Sequence, residues 1–378
     1  MRSVIPNPPP PTKTSFLYRF LATRKRMREL INWSSAVNNL NNKDPSRPDV
    51  SVMLITYNHK KYISQALDSI LQQKGNFTFE INIIDDASND GTQDIALEYK
   101  KKYPDIINCY FNQKNIGHIA TQLNTFRGFQ TLRGKYFAIL EGDDYWTDIN
   151  KLAKQIDFLD NNLNFVACAH WTFKFFDDSR SSPEHFLPFL SNPHRTEVDI
   201  NFLIRMDMVF HLSSILYRNV FESNPPVCLS DEYSCEATIN MTYGLFGKFY
   251  CFKEYMSAYR VHSSGVFSGR SREAIWMFHL NGFRRFALYL GVKHWNTFSY
   301  AIFHFSRWVL RAPSRGDEVT SLSSRTQWVF RLHLLGAFLF YLLTFPFENI
   351  KHMRKIFSRE FLSRVKRKLQ SKFATWRP

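Results

Sequence analysis

The sequence predicts an α/β protein, a mostly parallel sheet flanked by helices with helical extensions at both ends, and three observations predict it. Apolar runs of strand length alternate with helical stretches between residues 50 and 144. Three of these runs end directly in a polar cluster. The chain has 378 residues, 44% apolar and 16% aromatic, which is enough to bury a large core. Strands that alternate with helices argue for parallel pairing with both sheet faces covered.

The elements follow in order. Val50 to Ile55 reads as a buried strand, followed by the polar loop Thr56-Tyr57-Asn58 and a helix from Tyr62 to Gln73. A second run, Phe79 to Ile84, ends in Asp85-Asp86 and a turn through Gly91, before a helix from about Gln93 to Lys102. A short strand at Ile107 to Phe111, a helix near Ala120 to Leu132 and a strand at Tyr136 to Leu140 come next. That last strand runs into Glu141-Gly142-Asp143-Asp144. In parallel sheets the ligand crevice lies outside the carboxyl ends of the strands. The three clusters are therefore expected to converge on one crevice.

Charge divides the chain. Residues 1–48 carry nine Lys/Arg against two acids, and residues 349–378 carry ten against one, so the two tails account for the whole net charge of +16. The stretch between them is neutral, which argues against a nucleic-acid-binding core, since such a core carries its own basic face. Basic arms of this kind suit an anionic membrane surface, at about 1 kcal/mol per Lys/Arg near the bilayer; a solvated charge run is the bland alternative. The C-terminal arm spaces Ile350, Met353, Phe357, Phe361, Val365 and Leu369 as a basic amphipathic helix. The five cysteines are odd in number and show no zinc-like spacing, which fits a reducing compartment. No signal-peptide pattern is visible, and the apolar run from Gly336 to Phe347 is too short to span a bilayer, leaving an interfacial segment or a core helix.

Adjacent carboxylates at a strand end are costly to gather unless a cation neutralises them. Oxygen ligands of this type suit Mg²⁺ or Mn²⁺, which would stabilise charge on a diphosphate leaving group. Gly128 to Tyr136 resembles a phosphate-binding P-loop, but it has one residue too many between its glycines and Tyr136 where Ser or Thr belongs.

Taken together, Val50 to Asn58, Ile83 to Thr92, Asn115-Ile116-Gly117, Leu140 to Trp146, Leu229 to Tyr233 and Tyr259-Arg260-Val261-His262 resemble the ordered signatures of family 2 glycosyltransferases. The resemblance covers about residues 49–268 and implies a Rossmann-like GT-A fold, inversion at the anomeric carbon and a nucleotide-diphosphate sugar donor, UDP-linked in expectation. It implies that Thr56, Tyr57 and Asn58 border the nucleotide and that Asp86 meets the base edge. It places Asn115 and Gly117 along the crevice, Asp143 on ribose or donor sugar, and Asp144 and His262 on the metal. Asp231 matches the general base, with Glu232 as its fallback; the alternative is a helix cap at Asp231. Lys151 and Gln155 match common family positions, or else a solvated helix face. Trp146 and Trp171 are read as core aromatics rather than sugar platforms.

The expected organisation is an N-terminal arm over 1–48, a catalytic domain over 49–268 with a nucleotide half (49–146) and an acceptor half (147–268), an aromatic-rich helical region over 269–348, and the basic helix over 349–378. The expected reaction is sugar transfer to a saccharide or lipid-linked saccharide on the cytoplasmic face of a membrane, in polysaccharide or glycolipid synthesis, with no nucleic-acid partner. The Gln-x-x-Arg-Trp motif of processive synthases is absent, which favours one sugar per encounter. A polyprenyl-phosphate sugar synthase and a catalytically silent membrane-surface scaffold are the competing readings.

Overall fold

The structure, a computed structural model, describes residues 46–115, 118–177, 184–186, 195–205, 210–222, 224–262, 271–290, 294–310 and 322–344. The N-terminal arm, the C-terminal basic helix and Gly117 lie outside the described residues.

The described strands are β1 (Val50–Thr56), β2 (Phe79–Asp85), β3 (Ile107–Phe111), β4 (Tyr136–Glu141), β5 (Tyr145–Trp146), β6 (Phe165–Phe176), β7 (Glu184–Phe186), β8 (Glu197–Val198), β9 (Leu216–Arg218) and β10 (Lys248–Val261). The helices are α1 (Ile63–Leu71), α2 (Thr92–Lys102), α3 (His118–Phe129), α4 (Lys151–Asn161), α5 (Ile200–Arg205), α6 (Glu236–Tyr243), α7 (Arg272–Leu290), α8 (Trp295–Leu310) and α9 (Ser324–Thr344). The expected helices and strands of the first half are all present, and helix bounds move by a few residues at most.

One sheet runs in the order β3-β2-β1-β4-β9-β6-β10-β5, with β7 on β6 and β8 on β10. Its long pairings are parallel: β1 with β2 and β4, β2 with β3, and β6 with β10. The antiparallel pairings are only two or three residues long. This is the mostly parallel sheet flanked by helices that was expected. From β1 the chain winds outward through β2 to β3 and then returns to place β4 on the other side of β1, so a topological switch point lies between β1 and β4.

β1 is buried at every position because helices cover both of its faces. Strand alternation then divides the core in two. Phe137 and Ile139 of β4 pack with Tyr217 and Phe249 and with Phe283, Phe286 and Phe298 from α7 and α8. Tyr136, Ala138 and Leu140 face the other layer, with Val52, Leu54, Ile81 and the α1 residues Ile63, Leu67 and Ile70. The aromatic-rich region beyond residue 269, which carries no motif, thus supplies one wall of the main core.

Lys151 and Gln155 are not a solvated face, because both are fully buried. The Lys151 ammonium lies 4.1 Å from the Trp146 ring centroid and donates to Gln155 Oε1 at 2.7 Å. Gln155 Nε2 in turn donates to the carbonyls of Cys168 (3.0 Å) and Ser214 (2.9 Å). Burial pushes the Lys151 pKa down to about 7. Trp146 is a core aromatic, as expected, and its indole donates to the Ser213 carbonyl at 2.9 Å. This network fixes the strand that follows the acidic cluster.

Candidate active site

The three strand-end clusters meet because register forces them to. Thr56 pairs with Asp85 at the ends of β1 and β2, and Ile55 pairs with Glu141 at the end of β4. Backbone bonds continue the seam: Asp86 donates to the Thr56 carbonyl at 3.0 Å, and Gly142 donates to the Ile55 carbonyl at 2.8 Å. Asn58 and Ala87 both take left-handed backbone conformations, with φ of 54° and 59°. For a residue with a Cβ this is an uncommon state that surrounding contacts must hold. Here the Asn58 amide donates to Ser88 Oγ at 2.8 Å, and the Asn89 amide donates to Asn58 Oδ1 at 3.0 Å, lacing the two loops together.

Asp85 serves this turn, as expected: it is fully buried and accepts from Ser88 and from Gln93. Asp86 lies beside it, with Oδ1 accepting from Asn112 Nδ2 at 2.8 Å. Tyr57 is 41% exposed at the mouth, and Asn115 is also exposed.

Around Glu141-Gly142-Asp143-Asp144 the side chains separate into two triads, each with ligand-capable atoms within 4.8 Å of one another: His59, Asp143 and His262 in one, Glu141, Asp144 and His211 in the other. The two residues expected on the metal, Asp144 and His262, fall in different triads. In the outer one, Asp143 Oδ2 lies 2.9 Å from His262 Nε2 and 3.6 Å from His59 Nε2. Burial alone would push Asp143 up, but the hydrogen bond with His262 and the charges of His59 and His262 hold it below the usual carboxylate range. Burial lowers the His59 pKa despite the opposing pull of Asp143.

The inner triad has the opposite character. Asp144 is 1% exposed, and burial, then the charges of Asp143 and Glu141, raise its pKa well above normal. Its Oδ1 accepts from the Arg260 amide at 2.9 Å, and Oδ2 lies 3.8 Å from His211 Nε2. Burial likewise drives His211 down to about 4. Its Nδ1 sits 2.8 Å from Ser213 Oγ, which donates to Ser257 Oγ at 3.0 Å, so a buried hydroxyl relay orients the ring. Burial and then Asp143 push Glu141 up to about 8. Burial thus opposes ionisation of both inner carboxyls, whereas the partners of Asp143 favour its charged form.

Glu141 yields a pH prediction. A carboxyl whose folded pKa lies above its unfolded value of 4.5 weakens the fold progressively as pH climbs from there to about 8. Glu141→Gln removes that cost, so melting curves at pH 5 and pH 8 should show the variant gaining on the parent as pH rises. A constant difference would refute the raised pKa.

Arg260 clamps the cluster from β10. Its Nε donates to the Asp143 carbonyl at 2.9 Å, one terminal nitrogen pairs with Asp177 at 3.0 Å, and the other donates to Gln65 at 2.7 Å. Its guanidinium also packs on Tyr62, 4.5 Å from the ring centroid. All of its fork is thus committed within the protein, and its role is to position the acidic turn. Gly142 is required at the centre of that turn. A Cβ there would come within 2.8 Å of Thr56 Oγ1 and 2.9 Å of His59 Nδ1. Gly142→Ala is expected to weaken Mn²⁺-coupled nucleotide binding about 10- to 100-fold in calorimetry, by displacing His59, without unfolding the chain.

The expected base, Asp231, faces the fold instead of the crevice. It is fully buried; Oδ2 accepts from the Tyr289 hydroxyl at 2.6 Å and lies 3.5 Å from Arg285, and Oδ1 accepts from the Tyr233 amide at 3.1 Å. These bonds tie the loop before α6 to α7; the N-cap of α6 is Cys235, so Asp231 does not cap that helix. Glu232 is exposed and pairs with Arg285 at 3.0 Å. Another carboxylate of the acceptor half, Glu236 in the first turn of α6, acts electrostatically on Tyr259, as do Glu141, Asp144 and Asp143. Sequence reasoning missed His59, His211 and Glu236. His59 directly follows a strand-end cluster, which was a usable signal; nothing in the sequence tied the other two to the acidic turn.

The chain resembles known proteins over the same region. Residues 51–222 match the profile of Glycosyl transferase family 2. The uncharacterized protein Rv1520 of Mycobacterium tuberculosis is 31% identical over 219 residues, covering 57% of this chain and 60% of its own length. The putative teichuronic acid biosynthesis glycosyltransferase TuaG of Bacillus subtilis is 34% identical over 113 residues, 30% of this chain and 42% of TuaG. Among solved structures, Staphylococcus aureus TarS in complex with UDP-GlcNAc aligns with a TM-score of 0.47 at 16% identity, over 76% of this chain and 89% of that one. The stretch that carries the strand-end clusters, residues 51–222, thus matches glycosyl transferase family 2.

Proposed function

We propose that the protein transfers a single sugar, with inversion, from a nucleotide-diphosphate donor to a hydroxyl of a saccharide or lipid-linked saccharide in polysaccharide synthesis. The observation that carries this reading is the charged Asp143 between two imidazoles, set at the carboxyl ends of β1, β2 and β4. The similarity to TuaG supports the polysaccharide setting, and a UDP-linked donor is the first to test.

A divalent cation fits the outer triad better than the inner one. The partners of Asp143 favour its charge and it is 14% exposed, whereas burial opposes charge on Asp144 and Glu141. Two imidazoles with one carboxylate favour Mn²⁺ over Mg²⁺, which prefers all-oxygen surroundings. When bound, such an ion would offset the charge that grows on the departing diphosphate. The chain's own residues supply the rest. Tyr57 borders the nucleotide, Asp86 and Asn115 line its crevice, and Arg260 keeps Asp143 at the mouth.

Glu236, half-buried in the first turn of α6 where Asp231 is sealed, is the proposed base for the acceptor hydroxyl proton. Glu236→Gln should lower kcat about 100-fold or more with an unchanged melting temperature, while Asp231→Asn should chiefly lower the melting temperature. The reverse pattern would restore Asp231 as the base. Full activity in both variants would point to a phosphate acceptor, as in a polyprenyl-phosphate sugar synthase. A screen of labelled nucleotide sugars with and without Mn²⁺ tests the reading as a whole: turnover that needs the ion is expected, and absence of both turnover and metal-coupled UDP binding would leave the silent scaffold.

A further inference from the structure

Helix α9 has two unlike faces. Thr326 and Phe330 are buried, and Phe330 packs with Trp276, Leu280 and Val309 of α7 and α8. At about 100° per residue, Trp328, Leu332 and Leu335 fall within a narrow sector opposite Phe330. There Trp328 is 63% exposed, Leu332 45% and Leu335 54%. Single exposed hydrophobes need no explanation, but three at helical spacing on one face, led by a tryptophan, do. Arg325 and Arg331 are exposed beside them, and α9 contains no Asp or Glu. From Leu332 to Thr344 its sequence also lacks Lys and Arg. Among the described residues, no helix is long and apolar enough to cross a membrane.

We propose that the outer face of α9 seats this protein on an anionic membrane surface, with Trp328, Leu332 and Leu335 entering the headgroup boundary and Arg325 and Arg331 meeting lipid phosphates. Apolar residues with an indole at one side and arginines at the flank are what an in-plane helix requires. A second copy of the chain fits less well, because a two-fold contact through this face would bring the like-charged arginines of the two copies together. The proposal is independent of the reaction, and it assigns attachment to a helix of the folded body, whereas the sequence pointed to the basic arms.

The test is co-sedimentation of the full-length protein with vesicles of phosphatidylcholine and phosphatidylglycerol, at low salt and at about 0.5 M salt, where the arms' attraction is screened within a few ångströms. The variant Trp328→Gln/Leu332→Gln/Leu335→Gln replaces exposed residues with good helix formers. It should lose at least about tenfold in vesicle partitioning at high salt, with its melting temperature and UDP–Mn²⁺ binding unchanged. Undiminished partitioning of that variant overturns the proposal, as does light scattering that finds a dimeric parent and a monomeric variant. Should the triple variant misfold, vesicles with brominated acyl chains give a second reading: they should quench the parent, and Trp328→Phe should remove most of that quenching. Equal quenching of both proteins would also overturn it.

Discussion

Asp143→Ala should reduce sugar transfer by about a thousandfold or more and abolish Mn²⁺-coupled nucleotide binding while leaving the fold intact. Asp143 is the carboxylate of the acidic turn whose partners favour the ionised form, and its contacts with His59 and His262 lie at the crevice and not in the core. Removing it also relieves Glu141 and Asp144 of a charge that raises both of their pKa values. Asp144→Asn makes the contrast. An amide mimics the protonated acid and can still accept from the Arg260 amide, so cation binding should stay within about tenfold of the parent. Calorimetry with UDP and Mn²⁺ on both variants decides between the triads. Retained binding in Asp143→Ala with loss in Asp144→Asn would move the cation to the inner triad with Glu141 and His211.

Arg260→Ala should lower stability by about 3 kcal/mol and the melting temperature by several degrees, and activity should fall with it. The side chain is only 8% exposed and makes a hydrogen bond on each of its three nitrogens. Its removal strands the Asp143 carbonyl, takes one partner from Asp177 and leaves a gap between Tyr62 and Phe175. Partners left buried and unsatisfied cost more than the bonds were worth. Arg260→Lys keeps the charge but cannot reach all three partners, so urea unfolding should place it between parent and alanine. Parent-like stability in the alanine variant would show that Arg260 does not hold the turn.

Much of the fold was open to reading because the relevant signals are local. Val50 to Ile55, broken only by Ser51, and Tyr136 to Leu140 are near-continuous apolar runs, as doubly covered strands are, and each runs into a polar cluster. Trp146 was placed correctly for the same reason: an indole between a strand end and a helix has few alternatives to the core. Lys151 and Gln155 misled because a buried lysine is rare; the indole of Trp146 and the Gln155 amide make it tolerable, and neither contact is written in the local sequence. The cover that Tyr289 places over Asp231 was not legible, because an acid in an exposed-looking loop gives no hint of a partner on a distant helix.

By itself, the sequence determined the alternation of strands and helices, hence a parallel sheet and a crevice at its carboxyl edge, and it marked Glu141 to Asp144 as part of that crevice. Only the tertiary structure decided which of those carboxylates is charged. That choice depends on His59 arriving from the loop after β1, His211 from the segment before β9, and His262 from the end of β10. Ionisation of a buried acid is set by desolvation and by the few groups within several ångströms, and non-local strand pairing brings those groups together from segments remote in the chain. A motif can place the acids, but the packed sheet sorts them into Asp143, whose neighbours favour its charge, and Glu141 and Asp144, whose burial opposes theirs.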